Sequence, residues 1–233
     1  MKALVLGFAL AVLATGAFAL PASAQAAPNT LTAAEKASGW KLLFDGKDLA
    51  GWKGFKTDAP DAGWTVKDGV LGPTKGVSKD IITKQNFENF ELAFDWKISP
   101  LGNSGVMYHV IPVGDETYES GPEYQILDNA HGEQPLEQAG AAYYLFAPSK
   151  DMTKPVGEWN HGKIVVNHGK VQHWLNGVKV VEYDLNSDAF KARVAATKFK
   201  RWPQFATGKS GAIALQMHGN PVWFQNIKIK VLK

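Results

Sequence analysis

The segment from Phe90 to Ile98 constrains the fold most strongly, because its residues alternate between apolar and polar over nine positions. The apolar set is Phe90, Leu92, Phe94, Trp96 and Ile98, and the intervening residues are Glu91, Ala93, Asp95 and Lys97. Successive side chains of a β-strand point to opposite faces. The pattern therefore predicts a strand with one face in the core and the other mostly in water.

Further short apolar runs separated by turn residues extend this pattern along the chain. They are Ala141 to Phe146, Lys163 to His168, Val171 to Leu175, Ile213 to His218 and Val222 to Val231. Asn176-Gly177, which lies between two apolar runs, is a strong hairpin signal. Only residues 188–197 are typical of a helix. A dozen or so short strands with little helix predict an all-β fold, an antiparallel β-sandwich of jelly-roll type.

The first 24 residues have the composition of a secretory signal peptide. Lys2 supplies a basic start, Ala3 to Leu20 is apolar, and Ala22-Ser23-Ala24 has the small-x-small form of a cleavage site. Cleavage after Ala24 is expected, with a retained anchor as the alternative, and the mature protein is predicted to be periplasmic or secreted. Residues 25–38 are predicted as a linker with a short helix capped by Thr32, and residues 39–233 as a single domain.

Composition excludes several classes of function. The chain has 25 Lys and Arg against 22 Asp and Glu, a formal charge of +3 that falls to +2 when Lys2 is removed, which gives no footprint for nucleic acid. Cysteine is absent, so disulfides and thiolate chemistry are excluded. No phosphate loop or Gly-x-Gly-x-x-Gly motif occurs, and no nucleotide cofactor is implied. No stretch after the leader approaches the length of a membrane span.

The strand-like segment from Gly121 to Asn129 carries polar residues where a buried strand is expected. Alternation places Glu123 and Gln125 on one face with Leu127, whereas Asp128 belongs to the other face. A β-bulge after Gln125 would bring all three polar side chains together. The alternative is an edge strand whose polar residues are solvated.

Other polar residues could join this set if neighbouring strands of one curved sheet carry them. The candidates are His109, His131, Gln216 and His218, with Tyr143 and the Trp159-Asn160 pair as further donors and a stacking surface. We expect them to line the concave side of the sheet, where sandwich folds hold ligands. The 26 aromatic residues include flat apolar platforms suited to sugars, although most of them are expected in the core.

Several sequence blocks in order resemble the 3-keto-disaccharide hydrolase family, also described as 3-keto-glucoside lyase/hydratase. The blocks are Trp40-x-x-Leu-Phe-Asp-Gly-Lys-x-Leu-x-Gly-Trp52, Ser104-Gly105-Val106, Gly121-Pro-Glu-Tyr-Gln-Ile-Leu-Asp-Asn129, Gly140-Ala-Ala-Tyr143, Gly157-Glu-Trp-Asn160, Leu175-Asn-Gly177, and Leu215-Gln-Met-His-Gly219 through Phe224-Gln-Asn-Ile227. They cover nearly the whole predicted mature chain. The resemblance implies a concanavalin A-like sandwich of the lectin and glucanase type and a small carbohydrate substrate.

Two departures matter for mechanism. Glu123-x-Gln-x-x-Asp128 is similar to the Glu-x-Asp-x-x-Glu strand of laminarinase-type glucanases, but Gln125 and Asp128 stand where that motif has other acidic residues. The difference argues against an ordinary double-displacement glycosidase. His109 occupies a position where the family is expected to carry Arg.

The resemblance implies cleavage that begins at the carbon next to a ketone. A C3 ketone acidifies the C2 hydrogen, so a base can remove it, the C1 substituent can leave, and water can add. We expect Glu123 or His218 as the base, Asp128 as a further catalytic residue, and His131, Gln125 or a metal on the enolate side. A divalent ion such as calcium, manganese or zinc would be held by Asp128 and His131.

Three alternatives remain open at the level of sequence. They are a non-catalytic carbohydrate-binding module of the cell envelope, an ordinary endo-glycosidase, and a structural envelope protein whose polar residues are merely solvated. The fold alone does not separate them. The geometric test is whether Glu123, Asp128 and His218 converge on one cleft.

Overall fold

Two antiparallel sheets pack face to face in the computed structural model, which describes residues 27–72 and 79–233. In chain order the described strands are β1 (Trp40–Leu42), β2 (Trp52–Gly54), β3 (Val66–Lys67), β4 (Val70–Leu71), β5 (Ile81–Thr83), β6 (Phe90–Ile98), β7 (Asn103–Val110), β8 (Glu123–Leu127), β9 (Asn160–Asn167), β10 (Lys170–Leu175), β11 (Val178–Asp184), β12 (Ala212–Leu215) and β13 (Val222–Val231). The all-β sandwich predicted from the sequence is confirmed.

The larger sheet has the order β11-β10-β9-β6-β13-β4-β3, and β1 also pairs with β13. The smaller sheet has the order β2-β5-β12-β7-β8, so β8 lies at its edge. Two short α-helices are described, α1 (Ala33–Ala37) and α2 (Asp188–Ala196), together with four 3₁₀ helices at Thr117–Glu119, Asn129–His131, Pro135–Glu137 and Lys198–Arg201.

The core lies between the two sheets, and β6 supplies much of it. Phe90, Leu92, Phe94 and Trp96 are each at most 1% exposed, which confirms the predicted inward face. Phe94 packs edge-on against Tyr124 of β8, with ring centroids 5.4 Å apart, so this pair joins the two sheets. Edge-to-face packing of this kind adds to the stabilisation from burial alone.

Two local predictions are confirmed and one is wrong. Asn176 and Gly177 have φ of 48° and 82° and join β10 to β11, as a type I′ hairpin requires. The predicted helix is α2, capped by Ser187. Residues 141–146 do not form a strand; they form a turn in which Leu145 N donates to Ala142 O. That turn still covers the edge of β8, since Gln125 N donates to Ala141 O.

Residues 29–35 contact β13. The backbone N–H groups of Asn29 and Asn226 each donate to the other side chain, at 2.6 and 2.8 Å, and Lys228 pairs with Glu35. Thr32 caps α1 in a capping box with Glu35, as the sequence predicts. The predicted leader, residues 1–24, lies outside the described residues. Within residues 27–72 and 79–233, none of the helices is long and apolar enough to cross a membrane.

Candidate active site

Strand β8 carries its polar residues on the face directed away from the core. It pairs with β7 in an unbroken register, with Met107 opposite Glu123 and Gly105 opposite Gln125. Tyr124 and Ile126 point to the other face and are fully buried in the core between the sheets. The predicted bulge after Gln125 is therefore wrong, because strict alternation persists to the end of the strand.

The alternative prediction is an edge strand whose polar residues are solvated. Strand β8 does lie at the edge of its sheet, but its polar residues are buried. Glu123 is 5% exposed and Gln125 is 1% exposed, although the strand is at the edge of its sheet. The turn at residues 140–146 covers the open edge, and loops cover the outer face. Two polar side chains are thus buried outside the hydrophobic core, in a place where packing alone does not explain them.

Gly105 makes room for the Glu123 side chain. A Cβ at Gly105 would lie 2.1 Å from Glu123 Oε1 and 2.7 Å from its Cδ, so the carboxyl group lies directly over β7. The next segment is fixed on the other side of β7: Gln216 N donates to Gly105 O at 2.9 Å, and Ser104 Oγ donates to Gln216 O at 2.9 Å. The Ser104-Gly105 pair thereby positions both a strand residue and a residue that follows β12.

These elements surround a cleft of about 150 Å³ on the outer face of the five-stranded sheet. Its lining residues are Asn103, Tyr118, Glu123, Gln125, Tyr143, Lys198, Gln216 and His218. Five of them were candidates from the sequence: Glu123, Gln125, Tyr143, Gln216 and His218. The other three, Asn103, Tyr118 and Lys198, are not predicted from the sequence. Asn103 follows the turn before β7, but no spacing signal links Tyr118 or Lys198 to the strand residues.

The carboxyl group of Glu123 is held mainly in its protonated form. Burial raises the pKa of Glu123 to about 8, the nearby Lys198 ammonium opposes that rise, and the Asp80 carboxylate adds to it. Desolvation penalises the charged form of an acid, which is the dominant effect here. At neutral pH Glu123 can therefore donate a proton to a ligand oxygen, as a general acid does.

Lys198 is the one cationic side chain among the described residues that line the cleft. Its Nζ lies 4.6 Å from the centroid of the Tyr143 ring and 5.8 Å from that of Tyr118, both of which also line the cleft. Burial lowers the pKa of Lys198, and negative charge on Glu123, when it is ionised, and on Glu137 opposes this effect. Aromatic faces attract a cation, so these rings help to hold the ammonium group in the cleft.

Two amide oxygens in the cleft have no hydrogen-bond partner among the described residues. Gln125 Oε1 and Gln216 Oε1 are both buried and unpaired, whereas Gln125 Nε2 donates to Asn103 Oδ1 at 3.3 Å. A buried acceptor without a partner is costly. Both oxygens are suited to accept hydrogen bonds from the hydroxyl groups of a ligand.

Asp80 connects two segments that line the cleft. Its Oδ1 accepts from Met217 N at 2.9 Å, and its Oδ2 accepts from the Thr117 hydroxyl. Burial raises the pKa of Asp80 to about 6, so at neutral pH it is mostly ionised. Met217 lies between Gln216 and His218, and Thr117 precedes Tyr118, so this one carboxylate positions residues on both sides of the cleft.

Asp128 and His131 lie outside this cleft. Asp128 follows the end of β8, accepts from Leu101 N and Ala130 N, and lines a separate pocket of about 330 Å³. His131 is exposed on the 3₁₀ helix that Asp128 caps, with its Nε2 3.9 Å from Asp128 Oδ2. The predicted convergence of Glu123, Asp128 and His218 is therefore only partial: Glu123 and His218 meet, and Asp128 does not join them.

The described residues do not provide a metal-binding set at this position. Asp128 and His131 supply two donors, and no group of three or more His, Asp or Glu side chains in the described ranges is placed to hold a metal ion. Hard divalent ions take six or more oxygen ligands, and zinc takes at least three protein ligands. The donor set thus does not fit the divalent ion that the resemblance implies.

The three remaining candidates also lie outside the cleft. Asn160 lines the same separate pocket as Asp128, and its Oδ1 accepts from Lys154 N at 2.8 Å. Trp159 packs under the Lys97 ammonium, at 5.0 Å from Nζ to ring centroid. His109 is buried where the β7–β12 register shifts, with φ of 54° and Nε2 2.8 Å from Glu88 O. A positive φ at this irregularity turns His109 away from Met107 and the cleft face.

The described lining of the cleft combines one carboxyl group, which is the proton donor, with one cation and one exposed imidazole. Glu123 is the one acidic residue among its described lining residues, and His218 is exposed at its rim. Glycosidases that act by single or double displacement use two carboxyl groups that flank the scissile bond. The arrangement is better suited to proton abstraction and protonation around a polarised carbonyl group.

Comparisons with known proteins show which family and which solved structures the chain is similar to. Residues 39–230 match the model of the 3-keto-alpha-glucoside-1,2-lyase-like domain. A 3-keto-disaccharide hydrolase from Bacteroides thetaiotaomicron is 35% identical over 230 aligned residues, covering 84% of this chain and 79% of the relative. A candidate glycosyl hydrolase from Parabacteroides distasonis superposes with a TM-score of 0.84 at 38% identity, covering 89% of this chain and all of that one. A second one from the same organism has a TM-score of 0.64 at 30% identity, with coverage of 83% and 99%.

Proposed function

The chain belongs to the family of 3-keto-alpha-glucoside-1,2-lyase-like domains, and from this membership we propose that it cleaves 3-keto-glycosides, 3-keto-disaccharides among them. The reaction removes the C2 proton, eliminates the C1 substituent and adds water, so that the net result is hydrolysis of the glycosidic bond. The observation that carries the proposal is the buried, protonated Glu123 in one cleft with Lys198 and His218.

The first step uses the acidity of the C2 hydrogen next to the C3 ketone. His218, at the rim of the cleft, takes this proton, and the electron pair of the C2–H bond forms the enolate of the C3 ketone. Lys198 stabilises the negative charge that develops on the enolate oxygen. This assignment replaces His131, which the sequence suggested for the enolate side and which lies outside the cleft.

The second step expels the leaving group. The enolate re-forms the C3 ketone, a C1–C2 double bond forms, and the bond from C1 to the glycosidic oxygen breaks. Glu123 donates its proton to that oxygen, which a carboxyl group with a pKa of about 8 can do at neutral pH. Water then adds at C1 while a proton returns to C2, giving the free 3-keto sugar.

The buried amides support a carbohydrate ligand. Gln125 and Gln216 each offer an unpaired oxygen, and Asn103 lies beside Gln125. Sugar hydroxyl groups are donors of the kind that these oxygens lack. Tyr143 adds a ring to the same cleft, on which an apolar sugar face could pack.

The test is to offer trehalose and 3-keto-trehalose to the purified protein and to measure release of the free sugar. Cleavage of the keto sugar alone supports the proposal, because the C2 hydrogen of an unoxidised glucoside is not acidic enough for a side-chain base. Equal cleavage of both would indicate ordinary glycoside hydrolysis. Binding of either sugar without cleavage would indicate a carbohydrate-binding module.

The same assay with and without a chelator tests the divalent metal that the sequence suggested at Asp128 and His131. The proposed reaction has no step at a metal, because the described donors do not form a metal-binding set. Activity that survives the chelator is the expected result. Loss of activity that manganese, calcium or zinc restores would require a metal ligand set different from the one described.

We infer in addition that the protein is exported and that residues 1–24 are removed. Lys2, the apolar run and Ala22-Ser23-Ala24 support this inference. The remaining chain would then comprise the segment 25–38 and one domain over residues 39–233. Mass spectrometry of the exported protein should find Gln25 at its N-terminus, and an intact Met1 would contradict the inference.

A further inference from the structure

A groove of about 500 Å³ adjoins the cleft, and half of its described lining residues are basic. Its described lining residues are Leu136, Tyr144, Arg193, Ala196, Thr197, Lys198, Lys200 and Arg201. Four of the eight are cationic and none is acidic. Basic side chains on a convex surface are usually just solvated, but these four converge on a concave one.

The cations of the groove are not paired in salt bridges among the described residues. No salt bridge within the described residues involves Arg193, Lys198, Lys200 or Arg201. Glu123 and Glu137 act on Lys198, and the Glu137 carboxylate also accepts from the Tyr144 hydroxyl at 2.6 Å. Asp188 at the start of α2 is paired with Lys191.

The backbone that presents these cations is fixed in place. Lys198–Arg201 is a 3₁₀ helix whose Phe199 is 2% exposed and stacks on Phe205 with ring centroids 4.1 Å apart. Arg193, in the last turn of α2, lies over the Phe146 ring at 5.8 Å. An anchored segment of this kind can hold charges in one arrangement, which lowers the entropy cost of binding a ligand.

The groove and the cleft adjoin at Lys198. Lys198 lines both, and Tyr143 of the cleft packs against Tyr144 of the groove with ring centroids 4.8 Å apart. The cleft, at about 150 Å³, is smaller than an ordinary ligand pocket of roughly 300–1,000 Å³. A glycoside whose sugar occupies the cleft must therefore extend beyond it, and the groove is the cationic surface next to it.

We propose that this groove binds the leaving group of the glycoside and favours an anionic one, which carries a carboxylate, sulfate or phosphate group. The inference rests on the proposed function, since it assigns the sugar to the cleft. Arginine forms paired hydrogen bonds with each of these anions, and Arg193 and Arg201 provide two such groups beside Lys200. The enzyme thereby selects among 3-keto-glycosides by the charge of the leaving group.

The experiment compares two matched substrates, the 3-keto-glucosides of 4-(hydroxymethyl)benzoate and of 4-(hydroxymethyl)benzamide. They have the same shape and differ by one charge. The groove variant is Arg193→Gln/Lys200→Gln/Arg201→Gln, which removes three charges, keeps a polar side chain at each position and leaves Lys198 in place. The control variant Lys41→Gln/Lys67→Gln/Lys170→Gln removes the same charge from exposed sites on the larger sheet. Thermal unfolding checks that both variants are folded.

We expect the wild type to favour the benzoate, and the groove variant to lose about 10-fold in kcat/KM on that substrate, mainly through KM. The kcat/KM of the groove variant on the benzamide should change less than about twofold, and so should that of the control variant on either substrate. Raising the ionic strength to about 1 M, where the Debye length is about 3 Å, should abolish the preference.

Equal turnover of both substrates by the wild type, or an equal loss on both in the groove variant, overturns the assignment of the groove and leaves the proposed function standing. Failure of the wild type to cleave either keto substrate overturns both the assignment of the groove and the proposed function. A loss of the same size in the control variant would show a general effect of net charge. That result would also overturn the assignment of the groove as the leaving-group site.

Discussion

The Glu123 carboxyl group lies directly over Gly105 of the neighbouring strand, so close that a methyl group on Gly105 would be 2.1 Å from Glu123 Oε1. The atoms that a Cβ would meet belong to a side chain and not to the backbone. A larger residue at position 105 would therefore move the carboxyl group while leaving the β7–β8 pairing in place. This relation ties the proposed acid to a glycine that has no functional group of its own.

The first prediction follows from that contact. Gly105→Ala should displace Glu123 and lower kcat by roughly 100-fold, the contribution typical of a positioned general acid. The unfolding midpoint should change much less, because a flexible side chain can give way. Gly51→Ala is the matched control, since a Cβ there would meet only Leu43 O, at an ordinary 3.7 Å. Full activity in Gly105→Ala would show that the position of the Glu123 carboxyl is not critical.

Glu123→Gln should lower activity by roughly 100-fold or more and stabilise the fold in alkaline solution. Burial raises the pKa of Glu123 from 4.5 to about 8, so the folded state binds this proton more tightly than the unfolded state does. The resulting stability is fully present below about pH 4.5 and is lost as pH rises through about 8. Glutamine stays neutral, so the stability of the variant relative to wild type should rise with pH over that range, by on the order of a few kcal/mol.

Urea unfolding of both proteins at several pH values measures this difference. A constant difference between about pH 5 and pH 9 would mean that Glu123 titrates alike in the folded and unfolded states. We expect the wild type to have an alkaline limb in its pH–kcat/KM profile near the pKa of Glu123, and Glu123→Gln should lose it. An alkaline limb that persists in Glu123→Gln would have to be assigned to another group.

Lys198→Met should lower kcat and move the alkaline limb to higher pH. The Lys198 ammonium lowers the pKa of Glu123, so its removal leaves that carboxyl group protonated over a wider range. We expect a loss of roughly 100-fold or more in kcat if Lys198 stabilises the enolate. The exposed Lys191→Met, on α2, is the control and should behave as wild type. If activity falls and the alkaline limb stays at the same pH, the Lys198 charge does not affect the pKa of Glu123.

Asp80→Asn should move the alkaline limb in the opposite direction. The Asp80 carboxylate raises the pKa of Glu123, so its neutralisation lets that pKa fall. Activity should drop by roughly 10-fold, because asparagine has one acceptor oxygen for the two donors, Met217 N and the Thr117 hydroxyl. The exposed Asp58→Asn serves as control. A merely structural role for Asp80 predicts lower stability and activity with the limb unchanged.

The last prediction concerns the core. Phe94 is fully buried and packs against Tyr124 across the two sheets. A Cβ at Gly162 would lie 2.5 Å from the Phe94 ring, so the backbone of β9 also closes on it. Phe94→Ala should cost about 3 to 5 kcal/mol of unfolding free energy, measured by denaturant titration. An unchanged midpoint would contradict the assigned inward face of β6.

The sequence alone predicts the features that depend on neighbouring residues. Alternation over residues 90–98 predicts β6 and its inward face, and Asn176-Gly177 predicts the hairpin between β10 and β11. Alternation also places Glu123 and Gln125 on one face of β8. Each of these inferences depends on the period of the strand or on backbone preferences at two residues, which neighbouring positions determine without reference to the rest of the chain.

The tertiary structure decided which polar residues meet and in what ionisation state. Asp128 falls away from the cleft because β8 stays in register, and Lys198 reaches it from a 3₁₀ helix distant in sequence. The protonated state of Glu123 depends on burial and on the opposing charges of Lys198 and Asp80. Desolvation and Coulomb interactions act through space between segments that folding brings together, so no local pattern in the sequence could reveal them.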